Sequence, residues 1–471
     1  MFFEVVVCVL IGIVSVLALL TLWRKKYSRF VPDNKHSVFQ VLADAMDSIL
    51  FVTSGKKNAL HLYIIKYFTE KSKKFRQYLL FTHWLCGVPL VILHKAEAVK
   101  RQFPVERAKE AARCWLPQHH AQRVPRCLQR ACADVGRSPA GKEFTCIERP
   151  LSLCSLDTVC ESILGVKIGA LQSEAEEYAS SLQRLLDVAM SRIWKFWLWP
   201  DFIFFRCSNT YRQVLPHLRI AHGFSRRIIK ERKLSYMKGD DSRRPKCLLD
   251  VLLKLHIEDQ VFDEEGVRQE VDTFISAGHE STAVTTKWAL YLIGLYPEVQ
   301  EKIHQELDSV VGADSKGPIS IGDLSELKYL ECVLNESNRL YPPAAVIARK
   351  ISEDISICDY KIPKRTQVIV SPFFVHRDED VFPDPEKFDP ERFLPENSAR
   401  IPECAYIPFA AGPRGCIGRV FAEMEVKILV CHILRSFCLH SLDSRDQVLP
   451  VIKLSLQSSQ PARIKFRRRQ Q

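Results

Sequence analysis

The chain has 471 residues, with 67 Lys and Arg against 55 Asp and Glu, for a net charge of +12. Hydrophobic residues at 47% and charged residues at 26% exclude a disordered or fibrous chain and leave a globular body able to bury a core and enclose a ligand. No nucleic-acid-binding motif accompanies the basic excess, so clusters such as Arg24–Lys26, Arg226–Lys233 and Arg463–Arg469 read as solvated surface, membrane contact or a dock for an acidic partner.

Residues 2–23 are almost wholly apolar, with Glu4 the only charge, and are long enough to span a bilayer at ~20 residues. Arg24, Lys25, Lys26 and Arg29 follow at once. The positive-inside rule keeps them cytosolic. A cleaved signal peptide would carry its basic end before the apolar run, so a retained anchor is expected. Residues 24–60 then form a linker and membrane-proximal segment, and residues 61–471 a single large, mostly helical body without linker or repeat. Tyr78 to Leu93 predicts a β-hairpin.

Residues 104–150 are rich in Arg, Cys, Gln and Pro, with poor apolar periodicity, and are atypical of the rest; an incomplete segment is one reading. The sixteen cysteines are scattered and include no C-x-x-C pair. Cys127 and Cys132, with His119 and His120, come nearest to a metal cluster, but free thiols facing a cytosol are the simpler expectation.

Leu156 to Glu161 reads as a buried helix. Ile193 to Phe205 is aromatic, with Trp194, Trp197 and Trp199; core packing stands beside a lipophilic channel wall or a dip into a bilayer. A long helix is predicted from Asp263, a plausible N-cap, with Val267, Val271, Phe274 and Ile275 on its apolar face and Pro297 at its end. Its middle reads Ala277-Gly278-His279-Glu280-Ser281-Thr282. Gly278 weakens the helix there, and a hydroxyl from Ser281 or Thr282 can take over a backbone acceptor, so a bulge is expected. An acid–hydroxyl pair at that bulge could move protons.

Glu336 and Arg339 lie at i, i+3 on one helix face. Pro390-Glu391-Arg392-Phe393 follows, and Arg349 and His376 sit between them in β-like surroundings. Last comes Phe409-Ala-Ala-Gly412-Pro-Arg414-Gly-Cys416-Ile-Gly418, a Gly-rich loop running into an apolar helix. Gly412 and Gly415 permit unusual backbone and close approach of a flat ligand. The helix N-terminus behind Cys416 is expected to favour its anion.

This loop resembles the haem-binding signature F-x-x-G-x-R-x-C-x-G of the cytochromes P-450. The stretch from Ala277 to Thr282 is similar to that family's A/G-G-x-D/E-T-T motif, with Ser281 where threonine is usual. E-x-x-R, then P-E-R-F, then the cysteine loop recur in the family's order. The resemblance extends over nearly the whole chain except about 104–150, and is closest to the animal family-four branch, which includes fatty-acid ω-hydroxylases.

What it implies is a P-450 fold, mostly α with small β-sheets, behind a transmembrane helix in the endoplasmic reticulum. It implies haem b held by Cys416, with Arg414, Phe409, Gly412 and Gly418 shaping the loop and Arg349 and His376 near the propionates. Glu280, Ser281 and Thr282 would deliver protons, and Glu336, Arg339 and Arg392 would form a buried structural triad. The family's W-x-x-x-R is not met: four residues after Trp115 stands His119, and arginine appears only at Arg123. Many relatives esterify the haem to a Glu where this chain has Ala277, so haem without a covalent ester is expected. With no G-x-G-x-x-G or flavin site here, electrons would come from NADPH through cytochrome P-450 reductase, with cytochrome b5 as a further donor. The expected activity is monooxygenation of a lipophilic substrate, a fatty acid or related lipid. A haem-thiolate isomerase or dehydratase, or an inactive membrane-anchored lipid-binding protein, stays open beside it.

Overall fold

The structure, a computed structural model, describes residues 59–85, 88–102, 145–167, 173–237, 247–261, 263–312 and 319–469. The apolar stretch 2–23, the segment from 24 to 58, and Trp115, His119, Arg123, Cys127 and Cys132 lie outside them. Among the described residues no helix is long and apolar enough to cross a membrane.

Helix α1 (Ala59–Lys74) leads into strands β1 (Leu80–Leu85) and β2 (Val88–Leu93), which pair antiparallel with Leu80 opposite Leu93. This is the hairpin that the sequence predicts. Short helix α2 (Ala96–Gln102) follows, then strand β3 (Thr145–Cys146) and helices α3 (Glu148–Ile163), α4 (Ser173–Trp194), α5 (Asn209–Met237) and α6 (Leu248–Ile257). The long helix α7 (Glu264–Leu295) starts at Asp263, whose carboxylate accepts from the Gly266 N–H at 2.6 Å. That is the expected N-cap, satisfying an amide the helix itself cannot. Pro297 opens helix α8 (Pro297–Val311) rather than prolonging α7.

From Thr282 to Gly294 every residue of α7 is buried. A helix covered on all faces sits at the centre of a domain, not on its surface. Trp288, Tyr291 and Leu292 there pack with Ile303 of α8, Val333 of helix α10 (Lys328–Leu340) and Leu429 of helix α13 (Arg419–Ser436); the short helix α9 (Ile321–Glu326) and the helical turns α11 (Pro372–Val375) and α12 (Pro395–Ser398) lie between. Two glycines let α7 come close to its neighbours. A Cβ on Gly278 would meet Val159 Cγ2 of α3 at 2.9 Å, and one on Gly294 would meet Ser441 Oγ at 2.5 Å.

The remaining strands are β4 (Ile347–Lys350), β5 (Ile355–Ile357), β6 (Tyr360–Ile362), β7 (Gln367–Val370), β8 (Phe437–Ser441), β9 (Pro450–Ile452), β10 (Leu456–Ser458) and β11 (Arg463–Arg468). One sheet runs β1-β2-β7-β4; a second, β3-β11-β8, closes beside α7. Strands β9 and β10 form a separate hairpin, with Gln457 opposite Val451. The protein is thus mostly helical with small sheets, as expected.

The aromatic stretch 193–205 is only partly core. Leu198 and Phe204 are buried, but Phe202 is 66% exposed, Phe205 49% and Trp197 43%. Arg192 holds the segment in shape: its Nε donates to Leu198 O at 3.0 Å, and its guanidinium lies 4.2 Å over the Phe204 ring.

Candidate active site

The loop before α13 is drawn together by its own backbone. Cys416 N–H donates to Phe409 O at 2.9 Å, and Gly415 N–H donates to Gly412 O at 2.9 Å. Gly412 has φ +75, a left-handed conformation that favours glycine, and a Cβ on Gly415 would stand 3.1 Å from Gly412 O. The two glycines serve differently: one supplies the turn, the other the close approach. Gly418 caps α13 with ordinary φ −86, so its part is to present its N–H beside the Cys416 sulfur. The Phe409 ring lies under the Arg419 guanidinium at 5.6 Å.

Burial pushes the Cys416 thiol above its usual range, while the Gly418 N–H bond and Arg419 pull it down. The Gly418 N–H is the backbone contribution expected to favour the anion, and burial opposes it. Desolvation wins among the protein's own groups, and a bound cation is what would deprotonate the thiol outright.

One face of α7 lines the same cavity as the sulfur. Ala277, Glu280, Ser281, Thr282 and Thr285 share a cavity of about 1390 Å³ with Phe409, Arg414 and Cys416. Their i, i+4 spacing, as in Ala277, Ser281 and Thr285, puts them on one helix stripe. The expected bulge is not present as a break: α7 is continuous through Gly278. Ser281 Oγ donates to Ala277 O at 2.7 Å, but without displacing a helical turn. Gly278 faces Val159 of α3, so its place is a helix crossing and not an opening onto the cavity. Glu280 Oε1 accepts from Ser455 Oγ at 2.6 Å and from Gln457 Nε2 at 3.0 Å, both on the β9–β10 hairpin.

Arg349, on β4, lines the same cavity, and its Nη2 approaches Arg414 O at 3.5 Å. His376 is not brought to it. The ring is fully buried behind the loop, Nε2 accepts from the Ile407 N–H at 2.8 Å, and burial lowers its pKa to about 3. The expected propionate contact is therefore corrected: a neutral imidazole walled off from the cavity supports the approach to the loop instead. Its backbone continues the support, since His376 O accepts from Arg339 Nη1 at 3.0 Å.

Glu336, Arg339 and Arg392 are brought together. Arg339 donates through Nε to Glu336 Oε2 at 2.7 Å and through Nη2 to Oε1 at 2.8 Å, and both side chains are wholly buried. Arg392 Nε stands 3.7 Å from Glu336 Oε1, while its Nη2 donates to Pro383 O at 2.6 Å. Arg339 also donates from Nη2 to Lys387 O at 3.1 Å. One ion pair thus ties α10 to the turn after α11 and to the segment leading to the P-E-R-F turn.

Sequence patterns for haem ligation, a proton-carrying face and a buried ion pair now meet in one framework, and comparison with known proteins agrees. The sequence model of the family described as Cytochrome P450 matches residues 118–466. The chain belongs to the cytochrome P450 family. Its relatives place it in the animal family-four branch of the P450s. It is 39% identical over 334 residues to Cytochrome P450 4V2 of Rattus norvegicus, which is 68% of this chain and 63% of that one. It is 38% identical over 331 residues to Cytochrome P450 4V2 of Homo sapiens (68% and 63%), and 37% identical over 333 residues to Cytochrome P450 4c3 of Drosophila melanogaster (67% and 62%). The chain therefore matches less than two thirds of these relatives' own length. The family match begins at residue 118, inside the compositionally atypical stretch.

Family membership implies haem b with an axial cysteine thiolate, and the residues present fit that group. The cavity holds a cysteine sulfur at one wall, and it exceeds the roughly 300–1,000 Å³ of common small-molecule pockets, leaving room for cofactor and substrate together. A side chain at Gly415 would crowd the loop under the sulfur. Cys416 would hold the iron, and Arg349 and Arg414 would meet anionic substituents. Ala277, which also lines the cavity, offers no carboxylate for an ester.

Sequence reasoning missed the hairpin residues Ser455 and Gln457, which reach Glu280 across 175 and 177 positions. No local pattern announces such a contact. It also missed Lys287, although a lysine inside the apolar run from Ala283 to Leu295 was a visible signal.

Proposed function

We propose that the protein is a haem-dependent monooxygenase that inserts one oxygen atom of O2 into a lipophilic substrate, a fatty acid or related lipid, with electrons from NADPH through a separate reductase. The observation that carries this reading is the shared cavity, which Cys416, Glu280, Ser281 and Thr282 all line. When bound, thiolate-ligated haem supplies the activation of dioxygen, because electron donation from sulfur favours O–O cleavage.

The chain's own residues supply the rest. Cys416, Arg349 and Arg414 hold and orient the cofactor, and Glu280 passes protons toward the reacting oxygen. Ser281 donates its hydroxyl proton to Ala277 O, which leaves its oxygen as an acceptor. Thr282 is then the hydroxyl assigned to hand on the proton. Leu182, Leu185 and Leu218 give the far wall an apolar character suited to a lipid chain.

Residues 2–23 are assigned as an endoplasmic reticulum anchor. The exposed Phe202, Phe205 and Trp197 form a second contact with that membrane, since aromatic side chains favour the interface. Cytochrome P-450 reductase, with cytochrome b5 as an additional donor, would meet the basic surface clusters.

The test is optical first and chemical second. The reduced, CO-bound protein is expected to show the red-shifted Soret band of thiolate ligation, and Cys416→Ser to abolish it. Reductase, NADPH and a panel of fatty acids, steroids and xenobiotics then read the substrate class. A folded protein that stays colourless after haem supplementation overturns the proposal, and turnover of lipid hydroperoxides without NADPH moves it to an isomerase or dehydratase.

A further inference from the structure

Two turns beyond Glu280 on α7, Lys287 is buried to 2% exposure. An ammonium taken from water is costly unless nearby groups compensate it. Part of the compensation is the negative charge of Glu148 and Glu280, and part comes from hydrogen bonds to the β9–β10 hairpin. Lys287 Nζ donates to Ser458 Oγ at 3.1 Å and to Gln457 Oε1 at 3.3 Å. The other end of the same amide, Gln457 Nε2, donates to Glu280 Oε1 at 3.0 Å and to Ser455 Oγ at 2.8 Å.

The orientation of this amide is chemically fixed. An ammonium only donates, so it must face the amide oxygen, and a carboxylate accepts, so it must face the NH2. Trp288 Nε1, one residue beyond Lys287, donates to Leu456 O at 2.7 Å and pins the hairpin to α7. Leu454, at the hairpin tip, and Ser455 line the cavity.

We propose that Gln457, oriented by Lys287, is a positioning residue for Glu280. It fixes the carboxylate against the hairpin through Oε1 and leaves the second oxygen for proton traffic in the cavity. Lys287 acts on an acid it does not touch. The charge is kept in the core because a neutral side chain there would let the amide turn and release Glu280. The inference rests on the monooxygenase reading for its consequence, but not for its geometry.

The test reads Glu280 directly in the full-length, haem-loaded protein. The infrared difference between the protein and its Glu280→Gln variant isolates the carboxylate band. Gln457→Leu is expected to shift that band, and Lys287→Met to shift it in the same sense. Lys287→Arg, which keeps a donor, should leave it near its original position. Combining Lys287→Met with Gln457→Leu should add nothing, because the lysine acts through the amide.

In turnover, loss of one positioning hydrogen bond should raise the hydrogen peroxide released per NADPH by about fivefold. If Gln457→Leu does not fold, Gln457→Met, closer in shape, takes its place. A band unmoved by Lys287→Met, or shifts that add in the double variant, reduces Lys287 to a tether and overturns the proposal. Absence of the thiolate Soret band would instead refute the monooxygenase reading, and the infrared comparison would still decide the role of Lys287.

Discussion

Replacing Arg339 with methionine tests how the buried ion pair works. Glu336 accepts two bonds from Arg339 and one from the Asp389 N–H at 2.9 Å. Without the guanidinium, a fully buried carboxylate keeps the backbone bond and Arg392, whose Nε stands at 3.7 Å. His376 O and Lys387 O lose their donor as well. Breaking a buried pair by removing one partner costs about 3–5 kcal/mol, a large part of a typical stability of about 5–15 kcal/mol. Arg339→Met is therefore expected to lower the unfolding free energy by about 4 kcal/mol, measured by denaturant titration.

The double variant Glu336→Leu/Arg339→Met removes both charges and should recover most of that loss. It should not recover haem retention, read from the Soret band on dilution. The pair's bonds to His376 O and Lys387 O fix the segment behind the cysteine loop, and leucine and methionine make none. Two results would refute the reasoning: a single variant within about 1 kcal/mol of the parent, or a double variant that holds haem as well as the parent.

Gly278→Ala brings a Cβ to 2.9 Å from Val159 Cγ2 and should destabilise by about 1–3 kcal/mol; Val159→Ala in the same chain should restore most of it, whereas a glycine needed only for a bulge would show no such rescue. Glu425 is buried, and desolvation pushes its pKa up to about 8, so its ionisation opposes folding as pH rises above the unfolded value of about 4.5. Glu425→Gln should therefore raise stability at pH 7.5 by about 2 kcal/mol or more and change little at pH 4.5; a gain at the acid end would contradict it. His94, His279, His376 and His432 have pKa values lowered by burial to about 4, 4, 3 and 4. Each contributes stability above the unfolded value of about 6.5 that is lost as pH falls toward the folded value, so together they should cost up to about 5 kcal/mol per pH unit below pH 6. The His279→Gln variant should flatten that contribution by about a quarter.

Much of the helical body could be read in advance, because its signals are local. Asp263 caps α7 and Pro297 begins α8 as their chemistry dictates. The Tyr78–Leu93 stretch is a hairpin because two short, largely apolar β-prone runs are separated by Cys86-Gly87 in the sequence. The cysteine loop was legible because its contacts are local: Gly415 bonds Gly412 three positions back, and Cys416 bonds Phe409 seven positions back. His376 was misplaced because its chain position is compatible with either side of the loop, and burial chose the inner one. Gly278 was misread because Val159, its reason for being glycine, lies on another helix.

By itself the sequence determined the family, the candidate thiolate and the acid on the facing helix, since each depends on residue type at fixed spacing along one element. Tertiary structure alone decided which way those groups turn. It closed α7 over the expected bulge, withdrew His376 from the cavity, and set Glu280 against a hairpin some 175 residues away. Side-chain direction follows from packing between elements distant in sequence, and from which polar groups are left to satisfy one another once water is gone.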